Sequence, residues 1–395
     1  MGRLAANLIT LALGVVGGLL MLELALRLAG FGPINVQPDP LIGFRRIPHS
    51  RYRFMGDRRI GEGGSAGRFN SMGFRDVDHA TAKPPGTTRI LVIGDSFVAA
   101  YQVALDSTFH RRLERALNSR ALPGRHFEVI ALGENGNGTT TEYLTYRAWG
   151  AGFDPDVVAL LFILNDQADN WRPVALDQQR PFYVDDGDSL RLDTSFNQEA
   201  RYRKWRRWFW LKSHSALYNQ LQVALATLRT RLRPPREPGG QVELGYYVDW
   251  NFDRRFPADS IPAFRLTERI LARFADQVRR DHRRFVVFVA GFAQQEDHRL
   301  LAENLRDPDF DPDKARRWLA GVGQRHGFEV VSLTPAFRAA STALDRPLWF
   351  GSHGYYGHWN GAGHAVTAGV MERYFAHTLA GLDTTGLDAP ATAAP

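Results

Sequence analysis

A nearly unbroken apolar run covers residues 4–22, interrupted only by Asn7 and Thr10, and revives at residues 24–26. About 20 such residues in a helix cross the hydrocarbon core of a bilayer. Glu23 and Arg27 make a helical i,i+4 pair where a secretory leader would carry a small-residue cleavage site, so an uncleaved anchor is expected over residues 1–30. Shorter apolar runs of strand length follow, one within residues 89–97 that stops abruptly at Gly94-Asp95-Ser96 and others at 127–132 and 157–164 that stop at glycine-rich or polar residues. Helical spacing at residues 106–120 separates the first two. Further on, residues 261–280 and 314–324 read as helices, and residues 285–290 and 328–333 as buried strands. Strands alternating with helices predict an α/β fold, a parallel sheet with helices on both faces.

Residues 199–232 also carry helical periodicity, and are dense in cations and rings: Arg201, Arg203, Lys204, Trp205, Arg206, Arg207, Trp208, Phe209 and Trp210. Interleaved in this way they suit a membrane interface, a lid over a substrate, or a helix whose rings pack on the core. Residues 233–240, rich in proline and glycine, read as a linker, and residues 383–395 as a disordered tail. The expected organisation is an anchor at 1–30, a connecting segment at 31–85, a main domain at 86–382 with a helical insertion at about 171–255, and the tail.

Candidate chemistry clusters where the strands stop. Ser96 follows Gly94 and Asp95 at a strand-to-helix turn, the place where open α/β sheets bind ligands, although Asp95 and Ser96 also read as a simple helix cap. The second strand ends in Gly133-Glu134-Asn135-Gly136-Asn137-Gly138, whose glycines let backbone N–H groups approach a bound oxygen. The third ends in Asn165-Asp166. A last block, Gly357-His358-Trp359-Asn360, precedes the final helical stretch.

Serine, glycine, asparagine and histidine in this order resemble the SGNH branch of the GDSL hydrolases. The resemblance implies a three-layer α/β/α, flavodoxin-like fold and an acyl-transfer site. Ser96 would be the nucleophile, His358 the general base, and the Ser96 N–H, the Gly136 N–H and the Asn165 amide the oxyanion hole. No cofactor is implied. The block Phe69-Asn70-Ser71-Met72-Gly73-Phe74-Arg75-Asp76 and the anchor look like membrane-tethered bacterial members, so the resemblance covers most of the chain outside about 171–255. The Gly-His-Trp-Asn block is similar to that of exopolysaccharide O-acetylation proteins, which makes an acylated envelope glycan one candidate substrate and a lipid ester the other.

The chain departs from the family at one place. An aspartate normally precedes the histidine by three residues, where Tyr355 stands here, and Tyr356 is no acid either. A backbone carbonyl or a distant acid such as Asp345 is then needed to orient the ring. The alternative is a catalytically degenerate protein that binds a glycan or acts as a scaffold.

Composition narrows the picture. With no cysteine, disulfides and thiolate chemistry are excluded. The formal charge of +7 rests on 45 arginines and four lysines, with no nucleic-acid-binding motif beside them, and suits an anionic membrane surface. A short cytoplasmic start with an extracytoplasmic main domain is the expected topology, since large domains translocate largely regardless of charge. The glycines around Glu62 loosely match a dinucleotide fingerprint but lack a preceding strand, and read as a flexible loop. Residues 133–138 lack the lysine of a phosphate loop, and the spacing of His353, His358 and His364 matches no zinc motif. Asp166 and Asp169 are expected to hold the loop that follows the third strand.

Overall fold

The computed structural model describes residues 2–57, 61–120, 125–232, 250–352 and 355–380; the expected linker and tail and His353 lie outside them. The first helix, α1 (Gly2–Leu28), has no buried residue and is, among the described residues, the one helix long and apolar enough to cross a membrane. Two antiparallel hairpins follow: β1 (Val36–Asp39) with β2 (Gly43–Arg46), and β3 (Arg51–Phe54) with β4 (Ser65–Arg68).

Next come β5 (Thr87–Gly94), α2 (Phe109–Ser119), β6 (His126–Gly133), α3 (Thr139–Thr145) and β7 (Val157–Ile163). A third hairpin, β8 (Phe182–Asp185) with β9 (Leu190–Asp193), leads to α4 (Ala200–His214) and α5 (Ala216–Leu232). The alternating pattern then resumes with α6 (Pro262–Arg280), β10 (Arg284–Ala290), α7 (Lys314–His326), β11 (Glu329–Ser332) and α8 (Thr334–Leu344). The hairpin of β12 (Trp349–Ser352) and β13 (Tyr355–Trp359) precedes the last helix, α9 (Gly361–Ala380).

Five strands form one parallel sheet in the order β11-β10-β7-β5-β6. Counted along the chain this is the 2-1-3-4-5 order of flavodoxin-like folds, with the reversal of direction between β5 and β7. Both faces are covered, which is why the strands read as continuous apolar runs. Leu91, Ile93, Leu132, Leu160, Phe162 and Val287 pack under α6 and α7, through residues such as Phe264, Phe274 and Leu319. Ile90, Val92, Val129, Leu161 and Phe288 face the other way, against Phe109 and Leu113 of α2, Phe337 of α8 and Met371 and Phe375 of α9. The architecture is a three-layer α/β/α sandwich.

Two expected helices differ from the pattern reading. The stretch at 106–120 begins as a 3₁₀ turn at Leu105–Ser107, and Thr108, extended at φ −68° and ψ 152°, starts α2. The stretch at 199–232 breaks at Ser215, which is extended. The orphan N–H groups of the new helix start there are met from far away: Ala216 and Leu217 donate to the Glu23 carboxylate of α1 at 2.9 and 2.8 Å.

Leu160 lies at the middle of the central strand and is wholly buried. Leu160→Ala is expected to cost about 2–5 kcal/mol, read as a lowered denaturation midpoint of the detergent-solubilised chain. An unchanged midpoint would mean that this layer is not the core.

Candidate active site

The residues of interest gather at the carboxyl edge of the sheet, at the reversal between β5 and β7. Beyond Gly94 the chain enters one short helical turn, Ser96–Ala99, capped by the Asp95 carboxylate, which accepts from the Phe97 N–H at 2.9 Å. That turn lies flush on the neighbouring strand end because Gly133 has no side chain: a Cβ there would sit 2.5 Å from the Ala99 nitrogen. The cap reading of Asp95 is therefore correct, and it leaves the Ser96 hydroxyl free to point out of the edge.

His358, on β13, presents Nε2 to the Ser96 Oγ at 2.7 Å. Its position follows from its neighbour Trp359, which is fully buried and packs edge-on against Phe97 and Phe109. Behind the ring, His358 Nδ1 lies 3.3 Å from Glu62 Oε1. Gln102 Nε2 is 2.9 Å from the same Nδ1 and also bonds the Glu62 carboxylate. The Gln102 amide N–H can donate to Nδ1 only while that nitrogen carries no proton; once Nδ1 is protonated, the Gln102 N–H must turn away and the acceptor for the Nδ1–H is Glu62. That tautomer leaves Nε2 as acceptor for the serine hydroxyl.

Glu62 is a carboxylate partner of His358 that the sequence reading missed, and its loop differs from the flexible one expected. The glycines after it are close-packed: a Cβ on Gly63 would lie 2.4 Å from the Gln102 carbonyl oxygen, and one on Gly64 2.4 Å from that of Phe54. The Asp57 N–H donates to Glu62 Oε2 at 3.1 Å, fixing the carboxylate. The hydrogen bond from His358 is the main reason the Glu62 carboxyl lies below its ordinary range. The one local signal was an acid set among glycines, and no spacing links it to a histidine 296 residues away. Asp345 plays no such part, since it pairs with Arg299 at 2.6 Å and His298 at 3.4 Å. The side chains of Tyr355 and Tyr356 lie outside the described residues.

Asn165 ends β7 on the adjoining edge. Its amide donates to Asp169 Oδ2 at 2.8 Å and to Asp95 Oδ2 at 3.3 Å, which holds it beside the serine turn. Gly136 lies in the loop after β6 in the left-handed region at φ +69°, and its carbonyl accepts from Arg180. Ser96, His358 and Glu62 thus meet directly, with Asn165 one contact away through Asp95.

Beneath them lies a group of buried carboxyls: Asp95, Glu142, Asp166 and Asp169. Burial first, then the charge of Asp95 and Asp169, holds Glu142 well above the usual carboxylate range, and burial with the neighbouring acids does the same to Asp166. Asp166 accepts from the Ile163 N–H at 3.2 Å, and Asp169 holds Asn165, so both anchor the loop as expected. Among the described residues no group could hold a metal ion. His364 is instead buried against Phe109, whose N–H donates to its Nδ1 at 3.3 Å.

No protein-family model matches the chain. No curated protein matches it either. Among solved structures it is similar to an acetyl xylan esterase, AlAXEase (11% identity, 72% of this chain and 97% of that one, TM-score 0.39). It is also similar to Axe2, an acetylxylan esterase from Geobacillus stearothermophilus (14%, 72% and 93%, TM-score 0.37), and to a lipase/acylhydrolase from Enterococcus faecalis (11%, 73% and 95%, TM-score 0.37). The superpositions are loose, and no residue or activity is carried over from them.

Glu142 supplies a test of the buried acids. Its folded form keeps the proton, whereas the unfolded chain loses it near pH 4.3, so its contribution to stability is complete below that pH and lost as pH rises. Glu142→Gln should therefore melt at a temperature that falls less between pH 5 and pH 8 than the parent's. Equal falls in a melting series would show that Glu142 is ionised in the folded protein.

Proposed function

We propose that this chain is a membrane-anchored serine esterase or O-acyltransferase of SGNH type, using Ser96, His358 and Glu62 on an acyl ester of an envelope glycan or a lipid. The observation that carries this reading is the hydrogen-bonded line from the Ser96 Oγ through both ring nitrogens of His358 to the Glu62 carboxylate. It favours the enzyme over a degenerate binding protein, because orientation of the base no longer depends on the missing aspartate.

In the proposed reaction His358 Nε2 takes the proton of Ser96 as its oxygen attacks the ester carbonyl. Glu62 accepts the Nδ1–H, keeps the ring in the productive tautomer and stabilises the imidazolium that forms. The Ser96 and Gly136 N–H groups and the Asn165 amide stabilise the oxyanion. For Asn165 this requires turning one N–H from the 3.3 Å contact with Asp95 toward the substrate, while the 2.8 Å bond to Asp169 holds the side chain in place. His358 returns its proton to the leaving alcohol, and water or a sugar hydroxyl then releases the acyl group from Ser96. With α1 as anchor and the short start in the cytoplasm, this chemistry takes place outside the cytoplasm.

Ser96→Ala and His358→Ala should each remove nearly all turnover of a chromogenic acetyl ester, with little further loss in the double variant. Glu62→Gln should lower kcat by up to about 10⁴-fold, and Asn165→Ala should cost about 2.7–4 kcal/mol of transition-state stabilisation. Parental turnover in Ser96→Ala would exclude the site, and parental turnover in Glu62→Gln would exclude the acid.

Full-length protein should stay with membranes in alkaline carbonate, and a reporter active only outside the cytoplasm should work when fused after Pro395. Release by carbonate, or a signal only from a cytoplasm-dependent reporter, defeats the anchored extracytoplasmic topology.

A further inference from the structure

The helical pair α4–α5 stands at the foot of α1. Glu23, the first residue beyond the long apolar run, accepts from the Ser215 hydroxyl at 3.0 Å as well as from the N–H groups of Ala216 and Leu217. One turn on, Arg27 donates to the His214 carbonyl at 2.6 Å. If α1 spans the bilayer, these bonds fix the α4–α5 turn at the depth of the lipid headgroups.

No acidic residue occurs between Ala200 and Leu232, which nevertheless contain eight basic ones. On α4 the spacing of Arg201, Lys204, Trp208 and Lys212 places them along one face, over a cavity of about 340 Å³ that Trp205, Tyr218, Gln222 and Gln179 complete. Among the described residues none of these three cations makes an ion pair. Beside them the Gln179 amide nitrogen is buried with no acceptor among the described residues. The cavity therefore offers three cations, and the Lys212 ammonium is pushed below its ordinary range by burial and by Lys204 and Arg201. An oxygen-rich anion among them would relieve the repulsion. Elsewhere on the pair, Trp210, on the face of α4 turned away from the cavity, and Leu221, Val223, Leu225 and Leu228 of α5 are exposed, as suits helices lying at a lipid surface.

We propose that this cavity binds the phosphate of an anionic phospholipid headgroup in the leaflet next to Glu23, seating the main domain on the membrane surface. The proposal rests on α1 spanning the bilayer and is independent of the ester chemistry.

The test uses the full chain in a non-ionic detergent, titrated with dihexanoyl phosphatidylglycerol, dihexanoyl phosphatidylcholine and inorganic phosphate, with native mass spectrometry to count bound molecules. The phosphatidylglycerol should bind, the other two far more weakly. The Lys204→Gln/Lys212→Gln variant should lose about thirtyfold in affinity for it, whereas Arg206→Gln/Arg207→Gln, an equal change of charge away from the cavity, should lose little. Unchanged turnover of the chromogenic ester shows that the lysine variant is folded, and the three-ligand comparison on the parent protein stands without it. Phosphatidylcholine or inorganic phosphate binding as tightly as phosphatidylglycerol, or equal losses in the two variants, would overturn the proposal. Carbonate release of the parent chain would remove the anchor beneath it while leaving the Ser96 reading intact.

Discussion

One buried guanidinium ties the two halves of the candidate site together. Arg75 donates to the carbonyls of Ala99, Ala100 and Val103, at the end of the serine turn, and to the Tyr52 hydroxyl and Ser65 Oγ of the β3–β4 hairpin, whose connecting loop carries Glu62. A charge so deeply buried is tolerable only when nearly every N–H finds an acceptor, as these do, and when rings flank it, as Tyr52 and Tyr101 do. Three carbonyls converging on one cation leave the turn little freedom. The distance between Ser96 and the Glu62 loop is thus set by a rigid fork rather than by loop packing alone.

The next residue in the chain extends the same logic into the sheet. Asp76 accepts from the Ala131 N–H at 2.8 Å and from His79 at 3.2 Å, so the segment before β5 is hydrogen-bonded to the middle of β6. Glu134, at the end of β6, is in turn held by both ends of the Arg46 guanidinium at 2.7 Å. The segment first read as a connection is therefore a brace across the carboxyl edge. It carries Glu62 and restrains the loops that surround Ser96.

The buried carboxyls serve a different purpose. Two of them, Asp95 and Asp169, orient the Asn165 amide, and burial among neighbouring acids holds the other two, Glu142 and Asp166, well above the usual carboxylate range. The arrangement separates acids that organise the edge from Glu62, the acid that faces His358. Glu23 caps a helix nearly 200 positions later in the chain, again a carboxylate joining distant segments.

What was legible in the sequence was local. The apolar runs of β5, β6, β7 and β10, the helical spacing of α6 and α7, the membrane-length α1 and the abrupt strand ends at Ser96 and Asn165 all follow from periodicity and length, because a strand buried on both faces must be continuously apolar. Tertiary structure alone decided which acid stands behind His358, why the helical stretch at 199–232 breaks at Ser215, and which cations of α4 share a cavity. Each of these depends on groups far apart in the chain meeting across a packed edge, and hydrogen-bond partners of that kind leave no spacing in the sequence, only the glycines and caps that let the backbones approach.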